Sequence, residues 1–421
     1  MAAQLESVAD DAAGPQRPRN GRPRRIVLVA PFGLRPKGTT SARVLPIARV
    51  LAAQGARVRV VIPPWDDPGR AGQRWQVDSV EVVHTSAGGG PLGSAHILGQ
   101  LLRETREFAP DVVHCFKPIG YSGALASILT ASARRRGMPL VVVDADDLEG
   151  PGGWSGRRRL GIAGAVRGAQ ESATLRNAPL ATVASEWLRQ HLLRLGRPAD
   201  SILHLPNGHS IAPRPAGRRS RAKPSESPEV ARPVLLWYTR FTEVRPARAA
   251  ELIARSLAAV PSARLVIVGE EINAGDRAAT AAALAAVGIG DRVDWRGYEP
   301  DAVEGWLSGS HDRVVAIYPM DDDPTNRARC PSKIPQLMAL GIPLVAESVG
   351  EIPLYLAGAE AECLVAAGDQ NGFVEHVSKL LEDAGLHAKV QRRLKAGAAR
   401  WHWDAVAGGL LDWYTRQLAI R

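Results

Sequence analysis

The sequence predicts an α/β protein built of two doubly wound, parallel-sheet domains facing a common cleft. Apolar runs of strand length alternate with segments of helical periodicity along nearly the whole chain, the pattern of βαβ units. The alternation breaks once, over residues 212–232, where APRPAGRRSRAKPSESPEVAR carries Pro, Ser and charge without apolar periodicity; it restarts at Val234. The 421 residues allow two to three domains at about 150 residues each.

Residues 1–24, rich in Ala, Pro and Arg and without periodicity, read as a disordered tail. Arg25-Ile-Val-Leu-Val-Ala30 is a continuous apolar run, the signature of a strand buried on both faces. A loop with Gly and Pro follows, then a helical pattern over 41–54 that Gly55 terminates, then a strand at Val58–Ile62. Strands are expected at Val80–His84, Asp111–Cys115, Leu140–Asp144, Leu180–Ala184 and Ile202–Leu205, with helices over 95–108 and 121–136 between them. These make an N-terminal domain over 25–211, and 212–232 reads as a linker or exposed insertion. The second domain, 233–400, has strands at Val234–Tyr238, Arg264–Gly269, Arg292–Trp295, Val314–Tyr318 and Leu344–Ala346. Its helices are expected over 246–259, 276–287, 300–309 and 332–340. Residues 401–421 read as a closing helix, with Trp401, Trp403 and Trp413 as packing anchors.

Composition excludes several classes. Cys115, Cys330 and Cys363 are scattered and odd in number, which excludes a disulfide framework or a CxxC zinc module and suits a reducing cytosol. No apolar run approaches the ~18 residues of a membrane span, and no secretion signal is visible at Met1–Asp10. The net charge of +10 is uneven: residues 26–211 carry 22 Lys and Arg against 14 Asp and Glu, whereas 233–421 carry 20 against 24. A basic front half points to anionic partners, or to no more than solvated arginines. The basic residues are scattered and no nucleic-acid-binding motif accompanies them, so nucleic acid is the weakest partner class.

Open parallel sheets bind ligands at the carboxyl ends of their strands, where loops offer N–H groups and helix dipoles to phosphate. Four such loops stand out. The first, Pro31-Phe-Gly33-Leu-Arg-Pro-Lys37-Gly38-Thr39-Thr40, fits the spacing Gx₄G but has Thr39 where a phosphate-binding P-loop needs Lys. It suits a phosphate or a sugar, or is a plain turn. In the second, Arg240 and Arg245 follow a strand and precede a helix, an arrangement that suits a diphosphate clamp or a solvated pair. The third holds Asp321, Asp322 and Asp323, then Arg327, Arg329 and Lys333; the acids read as a helix cap more readily than as a cation site. The fourth, Asp144-Ala-Asp146-Asp147-Leu-Glu149, puts four carboxylates at the end of a buried strand, costly unless they perform a function or lie in a solvent-exposed loop.

At these residues the chain resembles the family-four (group 1) retaining glycosyltransferases, whose GT-B architecture is two Rossmann-like domains. Arg240 and Arg245 match that family's GR-x₄-K pair, with Arg in place of Lys. Leu205-Pro-Asn207-Gly208 is similar to its IPNG segment, and Ser332-Lys333-x-x-Gln336-Leu-Met-Ala339-x-Gly341-x-Pro343 to its SK-x-x-E-x-MA-x-G-x-P segment. Val349-Gly350-Glu351 resembles the next Gly-rich turn, and Leu364-Val-Ala-Ala-Gly368-Asp369 the closing LV-x-x-GD element. Departures are Gln336 for the family's Glu, Ala328 where a partner eight residues earlier is usual, and acids where a His follows the N-domain strand.

The resemblance implies transfer of a sugar from a nucleoside diphosphate sugar to a glycan or lipid-linked acceptor, with retention at the anomeric carbon and with neither metal nor cofactor. Arg240 and Arg245 would neutralise the departing diphosphate, helped by Lys333. Ser332, Gln336, Gly350 and Glu351 would hold the donor. The loop with Gly33, Lys37, Gly38 and Thr39 would meet the acceptor and the phosphates, and Asp146 or Asp147 would orient a hydroxyl. Alternatives are a nucleotide-sugar epimerase or hydrolase on the same plan, and a non-catalytic sugar-nucleotide binder. The expected place is the cytoplasm, peripherally at an anionic membrane through Arg157-Arg158-Arg159 and the apolar Leu160, Ile162, Ala163 and Val166 that follow; a solvated helix end is the plainer reading of the same residues.

Overall fold

The computed structural model describes residues 24–34, 37–89, 92–132, 137–212, 233–298 and 313–420. The expected tail up to residue 23, the linker over 213–232 and the helix over 300–309 lie outside the described residues, as do residues 133–136 at the end of the helix expected over 121–136. The N-terminal sheet comprises β1 (Arg25–Val29), β2 (Arg57–Ile62), β3 (Arg74–Val77), β4 (Val80–His84), β5 (Val112–Phe116), β6 (Leu140–Ala145), β7 (Leu180–Val183) and β8 (Ile202–His204). Their order is β3-β4-β2-β1-β5-β6-β7-β8, parallel throughout except for β3 against β4. The C-terminal sheet comprises β9 (Val234–Thr239), β10 (Arg264–Gly269), β11 (Val293–Arg296), β12 (Val314–Tyr318), β13 (Leu344–Glu347) and β14 (Leu364–Val365). Its order is β11-β10-β9-β12-β13-β14, all parallel. In both sheets the strand order reverses beside the first strand, which opens a crevice at the carboxyl ends.

The continuous apolar runs are central strands: β5, β6 and β9 are buried at every position. Strand β3 is an addition to the expected set. Its four residues RWQV alternate between exposed and half-buried, and Arg74 on it pairs with Glu81 and Glu104. A charged, short antiparallel strand blunts a sheet edge.

The closing segment is also corrected. Residues 401–421 do not form one helix: a helical turn at Trp403–Val406 and a helix at Leu410–Ile420 are separated at Gly408 and Gly409. The chain crosses back to the first domain ahead of this break, between Trp401 and Trp403, which lie in the two different cores. Ala407, Leu410, Leu411, Trp413 and Tyr414 join the core formed by Ile26, Leu28, Val58 and Val142, whereas Trp401 belongs to the core of the second sheet. Trp401, Trp403 and Trp413 are buried, as packing anchors should be. Gly208, at the start of the crossing, has no room for a side chain: a Cβ there would lie 2.7 Å from the Trp401 carbonyl oxygen and 3.1 Å from the Trp403 ring. The neighbouring His209 and Trp401–Trp403 backbones are hydrogen-bonded to one another at 2.9 and 3.1 Å. The junction between the domains is thus closed by two strips of chain lying side by side.

Candidate active site

The four carboxylates at the end of β6 resolve into two groups, each held by a buried cation. Asp144 receives Arg43 through Nε at 2.8 Å and Nη2 at 2.6 Å, with both side chains sealed from solvent. Arg43 also donates to Asn207 Oδ1 at 3.0 Å and to the Leu205 carbonyl at 2.9 Å. Thr182 donates its hydroxyl proton to Asp144 at 2.6 Å, so it accepts from His114 Nε2 at 2.9 Å, and His114 Nδ1 accepts from the Tyr414 hydroxyl at 2.7 Å. Burial first, and Arg43 second, hold His114 well below the usual imidazole range, consistent with this neutral tautomer. Asp144 is therefore a structural carboxylate, tied to the crossing helix.

The second group is Asp146, Asp147 and Glu149. The Lys117 ammonium lies 2.8 Å from Asp146, 3.0 Å from Asp147 and 2.5 Å from Glu149. Lys117 immediately follows β5 and has φ +66°, a left-handed conformation that costs a non-glycine residue about 1–3 kcal/mol and persists where surroundings enforce it. Burial would lower its pKa, but Asp146, Asp147 and Glu149 together raise it well above the usual lysine value. Burial likewise raises Asp146, and Lys117 with Arg43 and Thr39 outweighs it, leaving Asp146 below the carboxylate range. Thr39 Oγ1 donates to Asp146 Oδ2 at 3.1 Å, which joins the first loop to this cluster. Asp146, Asp147 and Glu149 have metal-ligand spacing, and the Lys117 ammonium supplies the cation among them.

The first loop is fixed from behind. Gly33 N–H donates to Asp66 at 2.8 Å, and a Cβ at Gly33 would lie 2.6 Å from the Asp67 Cβ. Lys37 sits over the Trp65 ring at 4.0 Å and the Phe32 ring at 4.8 Å. Gly38 has open space around it and no positive φ, so neither crowding nor conformation demands a glycine there.

Across the cleft, the loop after β9 carries Arg240. Its side chain is 16% exposed, 3.9 Å from Glu270 and stacked over Tyr298 at 5.4 Å. Lys333, at the start of the helix Lys333–Leu340, donates to Glu243 at 2.7 Å, and its ammonium feels both Arg240 and Arg329. Arg329 donates to Thr242 Oγ1 at 3.0 Å and lies over Trp154 of the other domain at 4.7 Å. Arg240 thus shares its surroundings with Lys333 and Arg329. Arg245 faces another partner: it is 78% exposed and 3.3 Å from Asp321. Arg240 and Arg245, expected together as a clamp, thus face different partners, because residue 245 ends the loop as the cap of the helix Pro246–Ala259.

Ser332 precedes the Lys333 helix without capping it through its side chain. Gln336 Oε1 accepts from the Tyr238 hydroxyl at 3.5 Å, beneath the stacked Tyr238 and Tyr298 rings. Gly350 has φ +56°, and a Cβ there would sit 2.9 Å from the carbonyls of Asn326 and Arg327. Glu351 is buried in the domain contact, where it accepts from Glu186 N–H and lies 3.5 Å from His204. The three successive acids each have their own partner: Asp321 takes Arg245 and Arg248, Asp322 takes Arg327, and Asp323 caps the helix Pro324–Ala328 through Asn326 N–H at 3.0 Å. The two domains meet around the cleft through Ser185 to the Ala328 carbonyl at 2.7 Å, Asn207 to the Cys330 carbonyl at 2.6 Å, and Arg157 to the Thr242 carbonyl at 2.6 Å. A cavity of about 510 Å³ lies beside this contact, lined by Trp154, Arg157, Thr242, Arg245, Asn273 and Asp323 among others.

Arg43, Lys117 and Glu243 were not singled out by sequence reasoning. Lys117 and Glu243 both follow strand ends, so the rule that ligands gather there was the available signal.

A cleft at the strand ends of two parallel sheets, with Arg240, Lys333 and Arg329 after β9 and the Asp146 group after β6, is the arrangement of a two-domain α/β protein that takes its ligand between the domains. Comparison gives the family. Residues 38–208 match the glycosyl transferase 4-like domain and residues 232–383 match the glycosyl transferases group 1 domain. The chain belongs to the group 1 glycosyltransferases and is an enzyme of that class, with the GT-B fold. It is 27% identical to a D-inositol 3-phosphate glycosyltransferase of Acidothermus cellulolyticus over 443 aligned positions, 95% of this chain and 92% of that protein. In fold it is similar to sucrose-phosphate synthase from Thermosynechococcus elongatus, with TM-score 0.70, 18% identity, and 94% and 100% of the two chains covered. It is similar too to HepE of Anabaena in complex with UDP and glucose, with TM-score 0.64, 14% identity and the same coverage.

Proposed function

We propose that this glycosyltransferase moves a sugar from a nucleoside diphosphate sugar to a hydroxyl acceptor, with retention at the anomeric carbon and without a metal or cofactor. The observation that carries the reading is the Arg240, Lys333 and Arg329 group beside the carboxyl end of β9, met from the other domain by Trp154 and Arg157 of the segment that follows the Asp146 cluster. Breaking the sugar–phosphate bond places negative charge on the leaving diphosphate and positive charge on the sugar ring. Preorganised cations stabilise the first and carboxylates the second. Arg240 and Lys333 meet the diphosphate, with Arg245 at the rim. Ser332, Gln336 and the Gly350 turn hold the donor, and Glu351 holds the domains at that turn. Asp146 and Asp147, oriented by Lys117, face the sugar or acceptor hydroxyl, and Gly33, Lys37, Gly38 and Thr39 border the acceptor. The test is release of UDP or GDP from a panel of sugar nucleotides. Release that requires an acceptor supports transfer; acceptor-free conversion supports an epimerase or hydrolase; binding without release supports a sugar-nucleotide binder.

The acceptor, glycan or lipid-linked, is expected to carry negative charge. The support is the excess of basic over acidic residues in 26–211; around Lys37 itself the charges are mixed, with Asp66 first, then Arg158, Lys117 and Glu149. The relative named for D-inositol 3-phosphate adds weight to a phosphate-bearing acceptor.

Turnover is expected to survive millimolar EDTA, because the Lys117 ammonium already occupies the place among Asp146, Asp147 and Glu149 that a cation would take, and arginines pair with Asp321, Asp322 and Asp323. Loss of turnover that Mg²⁺ or Mn²⁺ restores would make one of these acidic groups a metal site.

The membrane reading needs one revision. Arg157 is spent on the domain contact with Thr242 and Asp323, so the docking surface is reduced to Arg158, Arg159 and the helix Gly161–Asn177, on which Ile162 is 86% and Val166 63% exposed. Among the described residues no helix is long and apolar enough to cross a membrane. Sedimentation with anionic vesicles should weaken in an Arg158→Ser/Arg159→Ser variant and at high salt. Equal sedimentation with neutral vesicles, or none at low salt, would count against an anionic membrane surface.

A further inference from the structure

The loop between β9 and the helix Pro246–Ala259 is organised around one buried carboxylate. Glu243 Oε2 accepts from Thr239 Oγ1 at 2.9 Å and from Thr242 N–H at 3.0 Å, and both of its oxygens lie 3.3 Å from Arg240 N. Its Oε1 receives Lys333 at 2.7 Å. The turn this produces places Phe241 at φ +60°, with its N–H bonded to Thr239 Oγ1 at 2.8 Å. The Glu243 carbonyl in turn accepts from Asp321 N–H at 3.0 Å and Asn326 Nδ2 at 2.8 Å. A single side chain thus ties Arg240's main chain to the helix that bears Lys333.

We propose that Glu243 is a positioning residue for the leaving-group wall: its carboxylate fixes the turn that aims Arg240 and holds the Lys333 ammonium beside it. The inference rests on the donor reading above for what the two cations meet; the geometry itself stands without it. The charge matters as much as the shape. Lys333 is buried and faces two cations, Arg240 from the same loop as Glu243 and Arg329 from the loop ahead of its own helix. Tyr238 lies 5.4 Å from the ammonium, and Tyr318, at the end of β12, faces Glu243. Burial lowers the Lys333 pKa, Glu243 raises it, and Arg329 and Arg240 lower it again. Burial raises the Glu243 carboxyl, but Lys333, Arg329 and Thr239 outweigh that and hold it well below its usual range. Removing the Glu243 charge takes away the one carboxylate in this set, so Lys333 would lose its proton at a lower pH.

Glu243→Gln is therefore expected to reduce kcat at least about tenfold, as for loss of a partner to a buried charged group, and to move the alkaline limb of the rate profile about one unit or more toward acid. Glu243→Asp, which keeps the charge and shortens the reach, should lower kcat and leave the limb in place. A merely structural role predicts lower activity or stability with the limb unmoved in Glu243→Gln, and that result would overturn the proposal. If Glu243→Gln does not fold, Glu243→Asp decides alone: wild-type kcat overturns it. If the wild-type protein turns over no sugar nucleotide, the donor reading fails separately. NMR titration of the Lys333 ¹³Cε signal then decides this proposal: a lower titration pH in Glu243→Gln supports it, and an unchanged one overturns it.

Discussion

Arg240→Ala is expected to lower kcat and kcat/KM together by about two to three powers of ten, the usual cost of removing one charge contact made chiefly in the transition state. The reason is placement. Arg240 follows the central strand β9, its main chain is gripped by Glu243, and its guanidinium lies largely out of solvent over Tyr298. A charge held there is already desolvated and oriented before the diphosphate begins to leave, so little reorganisation is needed when the bond breaks. Arg240→Lys should recover only part of the loss, because a point charge does not reproduce a planar fork. Arg245→Ala provides the contrast. Its side chain is 78% exposed and bound to Asp321, so the expected loss is smaller, and it should fall mainly on KM. Circular dichroism must show both variants folded. Near-normal kinetics in folded Arg240→Ala would remove Arg240 from the site, and a larger loss in Arg245→Ala would restore the clamp expected from the spacing.

What the sequence made legible follows from which signals are local. Parallel strands buried on both faces, such as Leu140-Val-Val-Val, read as unbroken apolar runs, and the glycines that end helices fall where the chain must adopt positive φ, as at Gly55 and Gly341. Strand β3 was not legible because its side chains are largely in water and its stability comes from pairing with β4 and from Arg74 reaching Glu104, a residue 30 positions away. The destination of the closing helix was not legible either. Its apolar face is evident, but nothing in residues 401–421 says that the face covers the first sheet and not the second. In the site, the acids and arginines at strand ends stood out by type and position. Their partners did not: Arg43 meets Asp144 across 101 residues and Lys117 meets Asp147 across 30. Charge pairing of this range is a property of topology, and only the fold reveals that the four carboxylates form two groups, one on Arg43 and one gathered around Lys117.

Lys117→Met is expected to cost the N-terminal domain about 3–5 kcal/mol, because it strands buried carboxylates without their cation. For a domain of this size that is a fall in Tm of roughly 10 °C. The dependence on pH identifies the cause. In the wild-type protein burial raises Asp146, and Lys117, with help from Arg43 and Thr39, outweighs it and keeps Asp146 below its ordinary range. The stability Asp146 contributes is thus present above its unfolded pKa of about 3.9 and is lost as pH falls through the lower folded value. Burial already holds the Glu149 carboxyl above its usual range in the wild-type protein; without Lys117 it rises further, and Asp146, left to burial and repulsion, rises above its unfolded value as well. The folded variant then binds protons more readily than its unfolded chain, so it gains stability as pH falls from neutrality. The gap between the two proteins should therefore be widest near pH 7 and narrow toward pH 4. A second change, Glu149→Gln in the Lys117→Met background, should return part of the loss at pH 7 by removing one uncompensated charge, and should return more there than the same change does in the wild-type background, where Lys117 offsets part of the cost of burying that carboxylate. Thermal denaturation at a series of pH values measures all four proteins. A loss for Lys117→Met that stays constant from pH 7 to pH 4, with no recovery from Glu149→Gln, would mean that Lys117 acts through packing or its left-handed backbone, and the electrostatic account of this cluster would fail.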